Sequence, residues 1–574
     1  MNTSAARFVG ALLGAGLLAG CAQVPHAGPV VEATRGLRPV EPQVQYVNPK
    51  GPQPGQAPSD VVTGFLVAMT ATPLQTTTAG KFLSNQARAQ WQPERVVTYS
   101  DRTPARGIRR VVVQLQGADQ VGVRGEWQGQ VPPAGRRLVF PMRRENNEWR
   151  IARVPDALIV PRSFYDQQFQ DAQIYFFDPS GRRLVPEPVH VPQGSQLASS
   201  LVRALVRGPS PAAAGVERTF LPPGLTPVLS VPVGEDGVAN VTLKGPDPGP
   251  LSQRTTQLIL GQFAWTLRQD PSVTRFRLSI AGHQVADATG AQIFRVDSQA
   301  YDRFDAFSRA SSQIYALREG RLVSGQIDHP TPVDGPFGNY RQGIGPFAVS
   351  LDGTRVAGVT SDALLVGPVA GPSQATPVLS GTGLLRPSWD FADRLWNVQR
   401  GPHGAVVVCV EHRRRHQVRI PGITGENVRR FLVSRDGSRL VALLRQSRGD
   451  RIVVSRLRYN AENRPVSGTR ARLIPWLSSG TSRVRDIGWT SPTTIAVLDQ
   501  FSRAQAESRI LNVDGSTPAD QTSPTTIPGR SIGLATSPVD TPYAVLPNSL
   551  YDLSQLDSTP LVPTRGLRHI TYAG

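Results

Sequence analysis

The C-terminal half of the chain repeats itself. Phe347-Ala-Val-Ser350-Leu-Asp352-Gly353-Thr-Arg355-Val356-Ala357 returns as Phe431-Leu-Val-Ser434-Arg-Asp436-Gly437-Ser-Arg439-Leu440-Val441. Weaker copies are Leu385-Arg-Pro-Ser388-Trp-Asp390-Phe-Ala-Asp393-Arg394-Leu395-Trp396 and Ile487-Gly-Trp489-Thr-Ser491-Pro-Thr-Thr-Ile495-Ala496-Val497. The last is Leu534-Ala-Thr-Ser537, leading to Tyr543-Ala-Val545. The serines fall 38, 46, 57 and 46 residues apart. That is the period of one four-stranded propeller blade, and the longest gap fits a blade with an insertion. An apolar strand runs in, Asp-Gly makes a tight hairpin turn, and the next strand returns. Such a blade buries its faces only against its neighbours, so the copies must stack. Ile314-Tyr-Ala-Leu317-Arg-Glu-Gly320-Arg-Leu322-Val323 adds a hairpin at the start, where its blade is placed to close a ring. The expectation is an all-β propeller of five to seven blades over residues 300–574.

The same repetition weighs the acids. Asp352 and Asp436 could serve as calcium ligands or catalytic acids, but their return at hairpin positions favours turn chemistry, and Asp236-Gly237 has the same explanation. Trp389, Trp396 and Trp489 fall inside blade strands, where core packing is preferred over sugar stacking.

The other end of the chain gives an address. Met1-Asn-Thr-Ser-Ala-Ala-Arg7 is weakly positive, Phe8 to Leu18 is apolar, and Ala19-Gly20-Cys21 follows. These are the parts of a secretory signal. The apolar run is shorter than the roughly 20 residues a membrane span needs. Leu18-Ala19-Gly20-Cys21 resembles the lipobox of bacterial lipoproteins. That resemblance implies cleavage between Gly20 and Cys21, a diacylglyceryl group on the Cys21 thiol and an acyl chain (palmitate) on its amino group. Two or more chains anchor stably where one does not. No other apolar run approaches spanning length, so lipid at Cys21 is the expected anchor, holding the chain at the cell membrane on its extracytoplasmic face.

Composition narrows the rest. Cys21 and Cys409 are the two cysteines, so lipidation leaves Cys409 without a partner and excludes a disulfide scaffold. Cys409 lies in Ala405-Val-Val-Val-Cys-Val410 and reads as a buried strand residue. The formal charge is +19, and only Lys50, Lys81 and Lys244 among 62 basic residues are lysine. The arginines form no long block. No nucleic-acid partner is expected of an exported chain; a basic surface facing anionic lipid or envelope polymer fits better.

Between address and repeats lie three further segments. Residues 21–58 carry Pro25, Pro29, Pro39, Pro42, Pro49, Pro52, Pro54 and Pro58 and read as a tether, partly polyproline II, reaching as much as ~100 Å. Residues 59–170 begin with helical spacing in Val61-Val62-Thr-Gly-Phe65-Leu66-Val-Ala-Met69 and a second helix over Thr76–Gln90. Strands follow at Val96–Tyr99, Ile108–Leu115, Val121–Val123, Leu138–Phe140 and Trp149–Ile151, an α+β order. Glu148-Trp149-Arg150-Ile151-Ala152 ahead of Pro155 resembles the last strand of NTF2-like domains. Residues 171–287 read strand, Asp178-Pro179-Ser180-Gly181 turn, strand, helix, strand, helix, strand. Tyr175 to Pro188, Leu201 to Pro209 and the Gln257–Leu267 helix resemble a GerMN (sporulation and germination) domain, an extracytoplasmic α/β module thought to bind partners.

Lipobox, tether, NTF2-like segment, GerMN-like domain and propeller, in that order, resemble the actinobacterial LpqB-type lipoproteins. The resemblance covers nearly the whole mature chain. It implies association with the extracytoplasmic sensor region of the MtrB histidine kinase, and modulation of MtrAB two-component signalling that governs cell-wall homeostasis and division.

No catalytic constellation accompanies this. There is no His-Glu-x-x-His motif. Ala79-Gly80-Lys81 has Gln75 where a Walker loop needs glycine. His412 and His416 bracket three arginines, which would repel a cation; a solvated turn is the preferred reading. The expectation is a non-enzymatic protein with neither metal nor cofactor. The alternatives are a binding module for cell-wall glycan or lipid precursors and, behind it, a hydrolase acting at the propeller channel.

Overall fold

A computed structural model describes residues 47–574 apart from 229, 306–310, 448, 477–482, 501, 519–522, 555–561 and 565. Cys21, the signal and most of the tether therefore lie outside the described residues.

The first helix, Pro58–Ala68, starts with proline in its first turn and buries Val61, Val62, Phe65 and Leu66. It packs onto two four-stranded sheets. One runs Trp127–Gln130, Asp119–Val121, Arg95–Tyr99, Ala157–Pro161, its last pair parallel. The other runs Asp101–Arg102, Arg110–Gln116, Arg137–Glu145, Glu148–Ile151, all antiparallel. Val111, Val113 and Leu115 alternate inward, and Phe65 meets Phe140 edge-on at 6.2 Å. The expected helix over Thr76–Gln90 is two short ones, Thr77–Gly80 and Asn85–Gln90. Phe82 and Leu83 are buried between them, Leu83 bridges to Ile151, and the Ser84 hydroxyl caps the second by accepting from Ala87 N–H at 3.2 Å. The last tether residues touch this domain: Gly55 N–H donates to the Glu148 carboxylate at 3.0 Å.

In the second domain Phe169–Phe177 pairs with Leu184–Pro192 along nine residues. Asp178 makes their turn, accepting from the N–H groups of Arg182 (2.7 Å) and Arg183 (2.8 Å). The helix Leu197–Val206 buries Leu201, Val202 and Leu205 and gives way to Gly208 at φ 71°. Val238–Lys244 and Arg275–Ile280 pair in parallel, joined by the helix Gln253–Leu267. Phe294, Val296, Tyr301 and Phe304 join the same core.

Among the described residues the remainder is a ring of six antiparallel blades, five of four strands and one of five. Leu567–Tyr572 is the innermost strand of the first blade and pairs with Ile314–Arg318, closing the ring. The long spacing between Ser434 and Ser491 arises in the fourth blade, where the third strand is Gly449–Tyr459 and an extra strand, Arg472–Ile474, pairs with it.

The repeated phrase builds the same turn each time. Ser350 Oγ donates to Asp352 Oδ1 (2.6 Å) and accepts from Arg355 N–H (2.9 Å); Ser434 does so with Asp436 (2.9 Å) and Arg439 (3.0 Å). Gly353 and Gly437 both take φ 73°, and in the weaker copy Asp393 takes that left-handed place at 61°. Trp389, Trp396 and Trp489 are buried. Cys409 is a buried free thiol, which burial and the nearby Asp390 push well above the usual thiol range. His412 sits in a two-residue hairpin turn with Arg413, at φ 47° and 64°, and His416 follows on the outer strand opposite Cys409. No helix among the described residues is long and apolar enough to cross a membrane.

Candidate functional site

The turns bearing the repeated phrase all lie at one end of the ring, and the second domain sits on that end. Its hairpin strand Leu184–Pro192 supplies the contacts. The strand is buried on both faces, with Leu184, Val185, Val189 and Val191 among its apolar residues, and Glu187 is buried among them.

Arg439 and Arg456 are direct cross-strand partners in the fourth blade. Like charges so placed repel. Glu187 enters between them and accepts from both guanidinia, while Arg439 Nη2 also donates to Pro186 O at 2.8 Å. Glu217 approaches Arg456 Nη1 at 3.4 Å. Burial works against the Glu187 charge, but the Arg456 and Arg439 guanidinia hold its carboxyl below the usual range. Burial and then the Glu187 charge push Glu217 well above it. The two carboxyls are thus pushed in opposite directions, Glu187 toward its charged form and Glu217 toward its neutral one.

Three residues further along the strand, His190 joins two domains. Its Nδ1 lies 2.9 Å from Asp171 of the second domain and its Nε2 3.0 Å from Asp514 of the propeller. Burial opposes its charge, yet the hydrogen bonds to Asp171 and Asp514 raise it to about 9. It is an imidazolium at neutral pH. Gln173 Nε2 adds a bond to Thr493 Oγ1 at 3.0 Å, and Asn512 Nδ2 one to Asp171 at 2.9 Å.

The first domain closes the third side. Trp127 stands 5.5 Å from the His190 ring, and Gly125 O accepts from His190 N–H at 2.8 Å. Arg124 Nε donates to Gly208 O at 3.2 Å, and Arg207 pairs with Glu94 at 2.5 Å. A cleft of ≈ 590 Å³ opens beside this junction, lined among others by Glu126, Trp127, Val189, Arg456, Arg470 and Arg472.

Every buried charge here faces an opposite charge, and none faces a nucleophile poised for attack. The arrangement clamps three domains into one body. Among the described residues no group of three or more His, Cys, Asp or Glu side chains could hold a metal ion. The expected attachment site at Cys21 lies outside the described residues. The sequence reading did not single out Glu187, His190, Glu217 or Asp514, because the contacts they make between the second domain and the propeller span 239 to 324 residues of chain. The one local signal was a carboxylate within an otherwise apolar strand.

Three family profiles match. Residues 51–166 match "Lipoprotein LpqB, N-terminal domain", 173–286 match "Sporulation and spore germination" (Germane), and 320–541 match "Lipoprotein LpqB beta-propeller domain". The chain is 28% identical to Lipoprotein LpqB of Thermobifida fusca, over 87% of this chain and 88% of that one. It is 29% identical to Lipoprotein LpqB of Mycobacterium bovis, over 68% of each. Among solved structures it is similar to the first GerMN domain of the sporulation protein GerM from Bacillus subtilis (21% identity, 22% of this chain, 96% of that one, TM-score 0.18). It is also similar to TolB from Acinetobacter baumannii (12% identity, 54% and 85%, TM-score 0.31).

Proposed function

From its membership of the LpqB-type lipoprotein family, we propose that the chain is a non-catalytic envelope lipoprotein, anchored by lipid on Cys21 at the extracytoplasmic face, that tunes a sensor histidine kinase of the MtrB kind. The observation that carries this reading is the buried clamp. Glu187, Arg439, Arg456 and His190 tie the Germane domain to the propeller, and the first domain packs on the same strand. A contact made by any one domain is thereby carried by all three as a single body on a tether. The kinase as partner, and cell-wall homeostasis and division as the outcome, come from the family resemblance.

Tuning a kinase requires a differential. The lipoprotein must bind one conformation of the sensor region more tightly than the other, since equal affinity shifts nothing. The test is a binding titration of the full chain against the kinase's sensor region locked in each of its two states. Unequal dissociation constants are expected, and equal ones would remove the mechanism.

A further inference from the structure

The all-antiparallel sheet of the first domain buries one face and presents the other. Val111, Val113 and Leu115, with Leu138, Phe140 and Met142 of the next strand, are its buried side. The alternation of a strand then puts Arg110 and Val112 on the outer side, with Arg137, Val139, Pro141 and Arg143 beside them and Arg150 on the last strand. The register groups these residues. Val112 lies opposite Val139 and, on its other flank, bridges to Arg106; Arg110 lies opposite Pro141, and Arg143 opposite Arg150. Five arginines thus surround three half-buried apolar side chains, Val112, Val139 and Pro141.

Their charges are not balanced within the face. Among the described residues, Arg106, Arg110, Arg137 and Arg150 have no carboxylate at ion-pair distance, and Arg143 has Glu145 at 3.9 Å. Arg143 and Arg150 are like charges in direct cross-strand positions, which repel unless an anion is brought to them. The acids of this face stand at its two ends. Asp101 is at one, opposite Gln116. Glu145 and Glu148 are at the other, accepting at 3.0 Å from Asn85 N–H and Gly55 N–H. Ile108, between Arg106 and Arg110 in the chain, is 67% exposed. Cations around an apolar centre suit a surface that is anionic outside and hydrocarbon beneath, because arginine stems cover apolar area while their heads reach phosphates. The bond from Gly55 also shows where the tether arrives, at the edge strand of this same sheet. A chain anchored at Cys21 is therefore joined to its body through this domain.

We infer that this outer sheet face docks on an anionic lipid bilayer, with its five guanidinia on headgroup phosphates and Val112, Val139 and Ile108 toward the hydrocarbon boundary. Docking fixes which way the clamped body faces, which a tether alone leaves open. The inference takes only proximity from the lipid-anchor reading, and its test removes the lipid, so either can fail without the other.

The test is co-sedimentation of the chain from residue 21 onward, carrying Cys21→Ser, with vesicles. One set contains phosphatidylglycerol and phosphatidylcholine in equal parts, the other phosphatidylcholine alone. Binding is expected to the anionic set only, and to fall as salt rises from about 0.1 to about 1 M, where the screening length drops from about 10 Å to about 3 Å. Arg110→Gln with Arg137→Gln, both exposed positions, should weaken it about 25-fold, about fivefold for each arginine at a charged membrane surface. Arg277→Gln with Arg451→Gln removes the same charge from exposed positions on the other two domains and should leave binding within about twofold. No binding to anionic vesicles, equal binding to both sets, or equal losses in the two double variants overturns the docking face. Binding to soluble poly(glycerol phosphate) with none to vesicles assigns the face to an envelope polymer and overturns the bilayer.

Discussion

His190 holds two carboxylates that belong to two different domains, so its protonation is part of the assembly. Its pKa in the folded protein, about 9, lies above the 6.5 of a free imidazole. A raised pKa contributes stability that is complete below the unfolded value and is lost as pH climbs through the folded one. The shift corresponds to roughly 3 kcal/mol at most. The junction between second domain and propeller should therefore loosen as pH rises from about 7 to about 10. Limited proteolysis across that range measures it, with His190→Gln as the variant in which this pH step disappears. The two buried glutamates should behave unequally. Glu187→Gln leaves Arg439 and Arg456 facing each other without their anion and should cost roughly 3–5 kcal/mol. Burial and the Glu187 charge favour the neutral form of Glu217, so Glu217→Gln should cost less than Glu187→Gln. Denaturant unfolding of the two variants compares them, and equal losses would contradict the opposite shifts of the two carboxyls.

At the scale of elements, the repeated turn was legible because its chemistry is local. Serine, aspartate and glycine stand within four residues and bond one another, so the sequence phrase and the turn are the same object. Where Asp393 stands for glycine, the turn persists because aspartate tolerates the left-handed backbone. Gly437 is less replaceable. A Cβ there would meet Arg394 Nη2, Tyr459 Oη and Asp390 Oδ2 at 3.1–3.2 Å. Gly343 also has positive φ, but its Cβ would meet nothing. Gly343→Ala should cost roughly 1–2 kcal/mol from backbone strain alone, and Gly437→Ala clearly more. Thermal melts of both variants give the difference. The helix expected over Thr76–Gln90 failed for the opposite reason. Phe82 and Leu83 interrupt it to serve a tertiary contact, with Leu83 bridging to a strand 68 positions away at Ile151.

For the whole molecule, domain order was readable and domain contact was not. Signal, tether, two α-and-β domains and repeats follow one another along the chain, and each has its own local pattern. The clamp joins Glu187 to Arg439 and His190 to Asp514, pairs with no sequence proximity. The account at this scale is a rigid three-domain body held near a membrane by lipid on Cys21. Cys21→Ser is expected to leave the domains folded, with unchanged unfolding, while the protein moves from the membrane to the soluble fraction and kinase output falls. Normal signalling by the released variant would contradict the anchoring proposal. The central claim, a tethered body acting on a kinase sensor, is tested most directly by crosslinking the protein in intact cells and identifying what it captures by mass spectrometry. The account predicts peptides from the extracytoplasmic sensor region of the MtrB-type kinase, joined to the three-domain body and reduced in Cys21→Ser. Efficient crosslinks to other envelope components, with the kinase present in the membrane yet absent from the captured set, would contradict it.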